Sequence, residues 1–243
     1  MAQSGEGDAR RSGDLVEQLA KRFSVLTYDR RGLPRSALRD PAASASVATH
    51  ADDVDRLLDA VAGEPVRMLG CSMGAAIGLH LAVRRPDRLH ALIAHEPVTP
   101  WLLAAADRAA QLGELEHCQR VFAEQGWRAA LAPMVRTLGI DPENQEREPG
   151  VTAAPLGPDR AANFEYFLGH DFTAIREDHL DVAALRRSPV RIVPGLWAHH
   201  RATGLRLQVR PRAGGTARCA GGGISRRAQR ESHAPSRICR AGV

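Results

Sequence analysis

Two hydrophobic periods alternate through the first half of the chain. Around Asp14–Arg22, Leu15, Leu19 and Arg22 lie near one face and Asp14 suits the positive end of a helix dipole, so a helix is expected there. Phe23–Tyr28 is rich in β-prone residues and predicts a strand. A loop bearing Pro34 and Pro41 follows, to about Ala45. Thr49-His50-Ala51-Asp52 then reads as a helix cap. After it Val54, Leu57, Leu58 and Val61 recur at helical spacing, and Gly63 ends the run. Val66, Met68 and Leu69 predict a short buried strand. Ala75–Arg85 predicts a helix that stops at Pro86, and Leu89–Ala94 another strand. Strands alternating with helices imply an α/β fold, a mostly parallel sheet with flanking helices.

Beyond Pro100 the period stays helical. Leu102–Gln125 and Trp127–Leu138 predict helices, with Pro133 expected to kink or interrupt the second. Asp141–Gly157 reads as a loop, Ala161–Leu168 and Ala183–Arg187 as further helix, and Ser188–Gly195 as one more strand. From Trp197 onward Arg, Gly, Ala, Pro and Ser dominate and apolar periodicity fades. Residues 197–243 are therefore expected to form a disordered Arg/Gly-rich tail.

One stretch carries chemistry. Gly70-Cys71-Ser72-Met73-Gly74 is a G-x-S-x-G pentapeptide placed between the predicted strand and the predicted helix. Strand, tight turn and helix are the setting of a nucleophile elbow, which lifts a serine hydroxyl above the sheet in a strained backbone conformation. Ser72 is the candidate nucleophile. The backbone N–H of Met73, the residue after it, is the candidate oxyanion donor.

This stretch resembles the elbow of the α/β-hydrolase fold superfamily. Asp29-Arg30-Arg31-Gly32-Leu33-Pro34-Arg35-Ser36 is similar to that family's Asp-x-Arg-Gly-x-Gly-x-Ser loop, departing from it at Pro34. Leu92-Ile93-Ala94-His95-Glu96-Pro97 is similar to the strand after the elbow helix. The resemblance spans about residues 13–195. It implies a serine hydrolase of the acyl-enzyme type, acting on an ester, thioester, lactone or amide. It also implies a division into a core, residues 1–97 and 188–196, and a helical cap, residues 98–187, which would choose the substrate and exclude water. Against the family the chain looks truncated at its N-terminus. The strand expected between Phe23–Tyr28 and the elbow strand is absent, and only Gln3–Asp8 lie where a second oxyanion donor belongs.

Composition narrows the setting. A hydrophobic content of 44% can supply a core. No apolar run is long enough to span a membrane and the N-terminus lacks a signal-like apolar segment, so a cytoplasmic protein without membrane contact is expected. Cys71, Cys118, Cys219 and Cys239 show no paired spacing. That argues against a metal site and a disulfide framework, and no cofactor is expected. Cys71, one position from the elbow's apex, reads as a small buried residue. The net charge is +5, but residues 197–243 hold ten arginines against the single acid Glu231, so the remainder is acidic. With basicity confined to the tail and few aromatics in it, the expected partner is a small-molecule substrate and not nucleic acid.

The acid and base are the weak point of the pattern. Glu96, just past the strand after the elbow, is a candidate acid, because some members of the family place it there. His233 is the candidate base by chain position. His50, His80, His90 and His95 suit core or surface roles. His117, His170 and His179 belong to the helical region, His170-Asp171 reading as a structural pair, and His199 and His200 stand where the acid is expected. Trp101 and Trp127 read as packing residues. Two functions remain open, a serine hydrolase and a catalytically dead or binding protein on the same fold. The residue types of the tail are those of a GC-rich gene read out of frame after codon 196, which would account for the missing acid and base.

Overall fold

The computed structural model describes residues 1–40, 43–137, 150–152 and 156–195. Residues 197–243, with the expected tail, His199, His200 and His233, lie outside these, as does most of the expected 141–157 loop.

Among the described residues three parallel strands form the sheet: β1 (Val66–Cys71), β2 (Leu89–His95) and β3 (Arg191–Gly195), in that spatial order. Their ends are in register, with Cys71 opposite His95 and His95 opposite Gly195. Pro194 removes a donor from β3, which β3 tolerates because among the described residues it pairs on one side only.

The helices of the first half are α1 (Gly13–Ala20), α2 (Val47–Val61) and α3 (Met73–Arg84). α3 is buried from Met73 to Ala82, packed between the sheet and α2. That explains why a segment with Gly74 and Gly78 stays helical: tertiary packing, not propensity, holds it. The cap of α2 lies earlier than Thr49. Ser46 is the N-cap, and its hydroxyl accepts the Thr49 N–H at 3.1 Å. The buried face of α2 is Val47, His50, Ala51, Val54 and Leu58, while Val61 is 63% exposed, because only one side of the helix meets α3.

Phe23–Tyr28 is not a strand. The segment forms no ladder with any described residue. What lies between it and β1 is the first two residues. The Met1 ammonium donates to Leu26 O at 2.6 Å. Ala2 pairs with the edge of β1, its N–H donating to Leu69 O at 2.9 Å and its carbonyl accepting the Cys71 N–H at 3.1 Å. A single bridge does not make a sheet, and Phe23 and Leu26 stay 53% and 38% exposed.

The helical stretch comprises α4 (Ala105–Gln125), α5 (Trp127–Thr137), α6 (Pro158–Tyr166), α7 (Phe172–Arg176) and α8 (Val182–Arg187). Pro133 lies within α5, which continues through it. Phe167–Asp171 joins α6 to α7 as a π-helical turn. Phe167, Leu168, Phe172 and Ile175 from this turn and α7 belong to the same core cluster as Met73 and Ile77 of α3. No helix among the described residues is long and apolar enough to cross a membrane.

Candidate functional site

β1 delivers the chain to Ser72, where φ is 53° and ψ −115°. An L-residue reaches that conformation only under constraint, at a cost of about 1–3 kcal/mol. The constraints are visible. The Ser72 N–H donates to His95 O at 2.8 Å, tying the turn to the end of β2. The Ser72 carbonyl accepts the Ala75 and Ala76 N–H groups at 3.0 and 3.2 Å, starting α3 at once. Serine at an N-cap ordinarily bonds the helix's own amides through its side chain. Here the positive φ turns the hydroxyl away, and it makes no capping bond.

Two glycines make the turn possible. A Cβ on Gly70 would lie 2.4 Å from Gly74 O and 2.7 Å from Ala75 Cα. A Cβ on Gly74 would lie 2.2 Å from Ala2 O and 2.6 Å from Gln3 O. Strand, first helical turn and N-terminal segment approach one another through the space those side chains would fill.

Met73 is fully buried and opens α3, so its N–H has no carbonyl within the helix to accept it. Among the described residues nothing else accepts it. Glu96 follows β2 as Ser72 follows β1. It too has a positive φ, 45°, and its N–H donates to Gly195 O at 2.9 Å. Ser72 and Glu96 thus stand past the carboxyl ends of adjacent parallel strands, the edge at which open α/β sheets bind ligands. Cys71 lies beside them, its Sγ 3.7 Å from His95 Nδ1. Burial first, and then the Glu96 charge, push its thiol up to about 11, so it stays protonated at neutral pH.

His80, His50 and His170 are engaged by other side chains. His80 Nε2 lies 2.9 Å from Asp178 Oδ1, and the Trp101 indole donates to Asp178 Oδ2 at 2.8 Å. His50 Nε2 is 3.6 Å from Asp171 Oδ1. His170 stacks on Tyr166. Pro34, where the family loop has glycine, begins a short 3₁₀ turn, Pro34–Ser36.

Sequence reading missed a buried ion pair. Arg31 pairs with Asp53 of α2 and is partly exposed, whereas its neighbour Arg30 is 2% exposed and pairs with the 1%-exposed Asp171 at 2.8 Å. Adjacent arginines in one loop carry no signal of which points inward.

Comparison with known proteins identifies the family. The model of the α/β hydrolase fold family matches residues 4–116. The uncharacterised hydrolase YraK of Bacillus subtilis is 31% identical over 198 residues, covering 80% of this chain and 68% of YraK. Among solved structures, MenH from S. aureus superposes with a TM-score of 0.60 at 13% identity, over 79% of this chain and 72% of MenH. A structure reported in a study of carboxylesterases of Nitrososphaera gargenis gives 0.56 at 19% identity, over 80% and 70%. The chain belongs to the α/β-hydrolase fold family, and its class is that of hydrolytic enzymes.

Proposed function

We propose that the chain is a serine hydrolase that opens an ester, thioester, lactone or amide of a small molecule through an acyl-enzyme on Ser72. The observation that carries this reading is the φ of 53° at Ser72 with its hydroxyl released from capping, since strain held at one serine has no structural use evident in the fold. In the reaction the Ser72 oxygen attacks the carbonyl carbon and the developing oxyanion accepts the Met73 N–H. A base takes the hydroxyl proton and returns it to the leaving group. His233 is the candidate base and Glu96 the candidate acid, placed one strand from the nucleophile. Residues 98–187 act as a cap that shapes the substrate pocket.

The test is covalent labelling. A fluorophosphonate probe should modify Ser72 in the wild type, and Ser72→Ala should lose both the label and p-nitrophenyl ester hydrolysis. Labelling that persists in Ser72→Ala removes the assignment. A wild type that never reacts favours the second reading, a non-enzymatic binding protein.

A further inference from the structure

We infer that Arg30 is a positioning residue for anion binding beside the elbow: its guanidinium holds the Ser4 and Gly5 carbonyls inward and so turns the Gly5 and Glu6 N–H groups outward as donors. The inference rests on the acyl-transfer reading of Ser72.

Residues 2 and 3 lie against the first turn of α3, with Ala2 O and Gln3 O close to the Gly74 Cα. The chain passes from there directly into the turn Ser4–Gly7, closed by the Gly7 N–H donating to Ser4 O at 3.3 Å. Arg30 Nη1 donates to Ser4 O at 2.7 Å, and Nη2 donates to both Gly5 O and Asp171 Oδ2. A trans peptide is planar, and the N–H of each unit points opposite to its carbonyl. Fixing the carbonyls of residues 4 and 5 toward the guanidinium therefore fixes the Gly5 and Glu6 N–H groups away from it. Neither has an acceptor among the described residues.

From the other side Phe167 closes the clamp. A Cβ on Gly5 would lie 1.9 Å from Phe167 Cε2, so the ring rests on the glycine itself. The Glu6 side chain is held by Arg11 at 3.3 Å and Arg160 at 3.2 Å. The choice of an ion pair also bears on the matter. A buried Arg–Asp pair is seldom more stable than an apolar pair of equal size, but it fixes geometry, and here it spends its donors on two backbone carbonyls of one loop. Backbone donors preset at a loop next to a nucleophile are what an oxyanion requires, and losing one such donor slows acyl transfer about 10²–10³-fold.

The experiment compares the full chain with Arg30→Lys and with the double variant Arg30→Met/Asp171→Leu, which removes both buried charges together. Three quantities are read: the rate of Ser72 phosphonylation, the affinity for phenylboronic acid as a tetrahedral adduct, and KM for a p-nitrophenyl ester. The double variant should keep a cooperative melt and a KM within about twofold of wild type. Its phosphonylation rate and boronate affinity should fall at least about tenfold, in line with loss of an oxyanion donor. Arg30→Lys, a point charge that cannot hold two carbonyls and a carboxylate at once, should fall between. A folded double variant with wild-type rate and boronate affinity overturns the inference. Should the double variant fail to fold, Arg30→Lys decides: an unchanged rate overturns the role, and a slower rate at unchanged KM supports it. Wild-type protein whose Ser72 does not react overturns the acyl-transfer reading and this inference with it, whereas equal reaction of wild type and variants overturns the role of Arg30 alone.

Discussion

β1 and the segment Phe23–Tyr28 make an instructive pair. By residue type the second is the better strand: Phe, Val, Thr and Tyr against Val, Arg, Met, Leu, Gly and Cys. Only the first is one. β1 is flanked by β2 along its length and by Ala2 at its end, and α3 covers one of its faces. The 23–28 segment has the Met1 ammonium at Leu26 and no ladder among the described residues. A strand is a relation between two backbones, and propensity supplies one of them. The elbow inherits its rigidity from that relation, because the strain at Ser72 is held by bonds to the end of β2 and to α3.

The largest effect should come from driving the elbow's layers apart. Gly74→Val would place a Cβ 2.2 Å from Ala2 O and 2.6 Å from Gln3 O, both backbone atoms that cannot rotate aside. Overpacking of this kind costs about 1–3 kcal/mol when neighbours can adjust and more when they cannot. The variant should melt far below the wild type and lose reaction at Ser72. A normal melt with intact labelling would mean that residues 2 and 3 are not bound to the elbow as described.

The contrast also explains what was legible in the sequence. Helix and strand could be assigned around Ser72 because the pattern is local: apolar run, glycines, helix formers, Pro86. The same local reasoning failed at Phe23–Tyr28, whose state depends on a partner elsewhere in the chain. It placed the cap of α2 at Thr49 because a Thr-x-x-Asp spacing is visible, whereas Ser46, three residues earlier, accepts the Thr49 N–H. Arg30 and Asp171 are separated by most of the domain, and no period links them. The elbow was readable because its parts are consecutive; the clamp on residues 4–6 was not, because its parts meet only in the fold.

A middle-sized effect sharpens the comparison from the elbow side. Ser72→Gly removes the Cβ that makes φ 53° costly. Relief of part of the about 1–3 kcal/mol strain should outweigh the added chain entropy of glycine, about 0.5–1 kcal/mol. The variant should then melt slightly above the wild type while losing the nucleophile. The reverse sign, a clear destabilisation, would show that the Ser72 side chain contributes packing or a bond of its own.

The smallest effect is expected at Phe23. Its side chain is 53% exposed, where a sheet face covered by a helix would bury it. Little apolar area is recovered by folding there, so Phe23→Ser should change stability by no more than about 0.5 kcal/mol. For contrast, Leu92 of β2, fully buried, should cost about 2–5 kcal/mol on truncation to alanine. A β-prone segment left outside a ladder is also a template for pairing between molecules. Phe23→Ser should therefore raise the concentration at which the protein stays monomeric, read by light scattering, while the melt is unmoved. A loss of stability near that of Leu92→Ala would place Phe23 inside a packed sheet and erase the difference between the two segments.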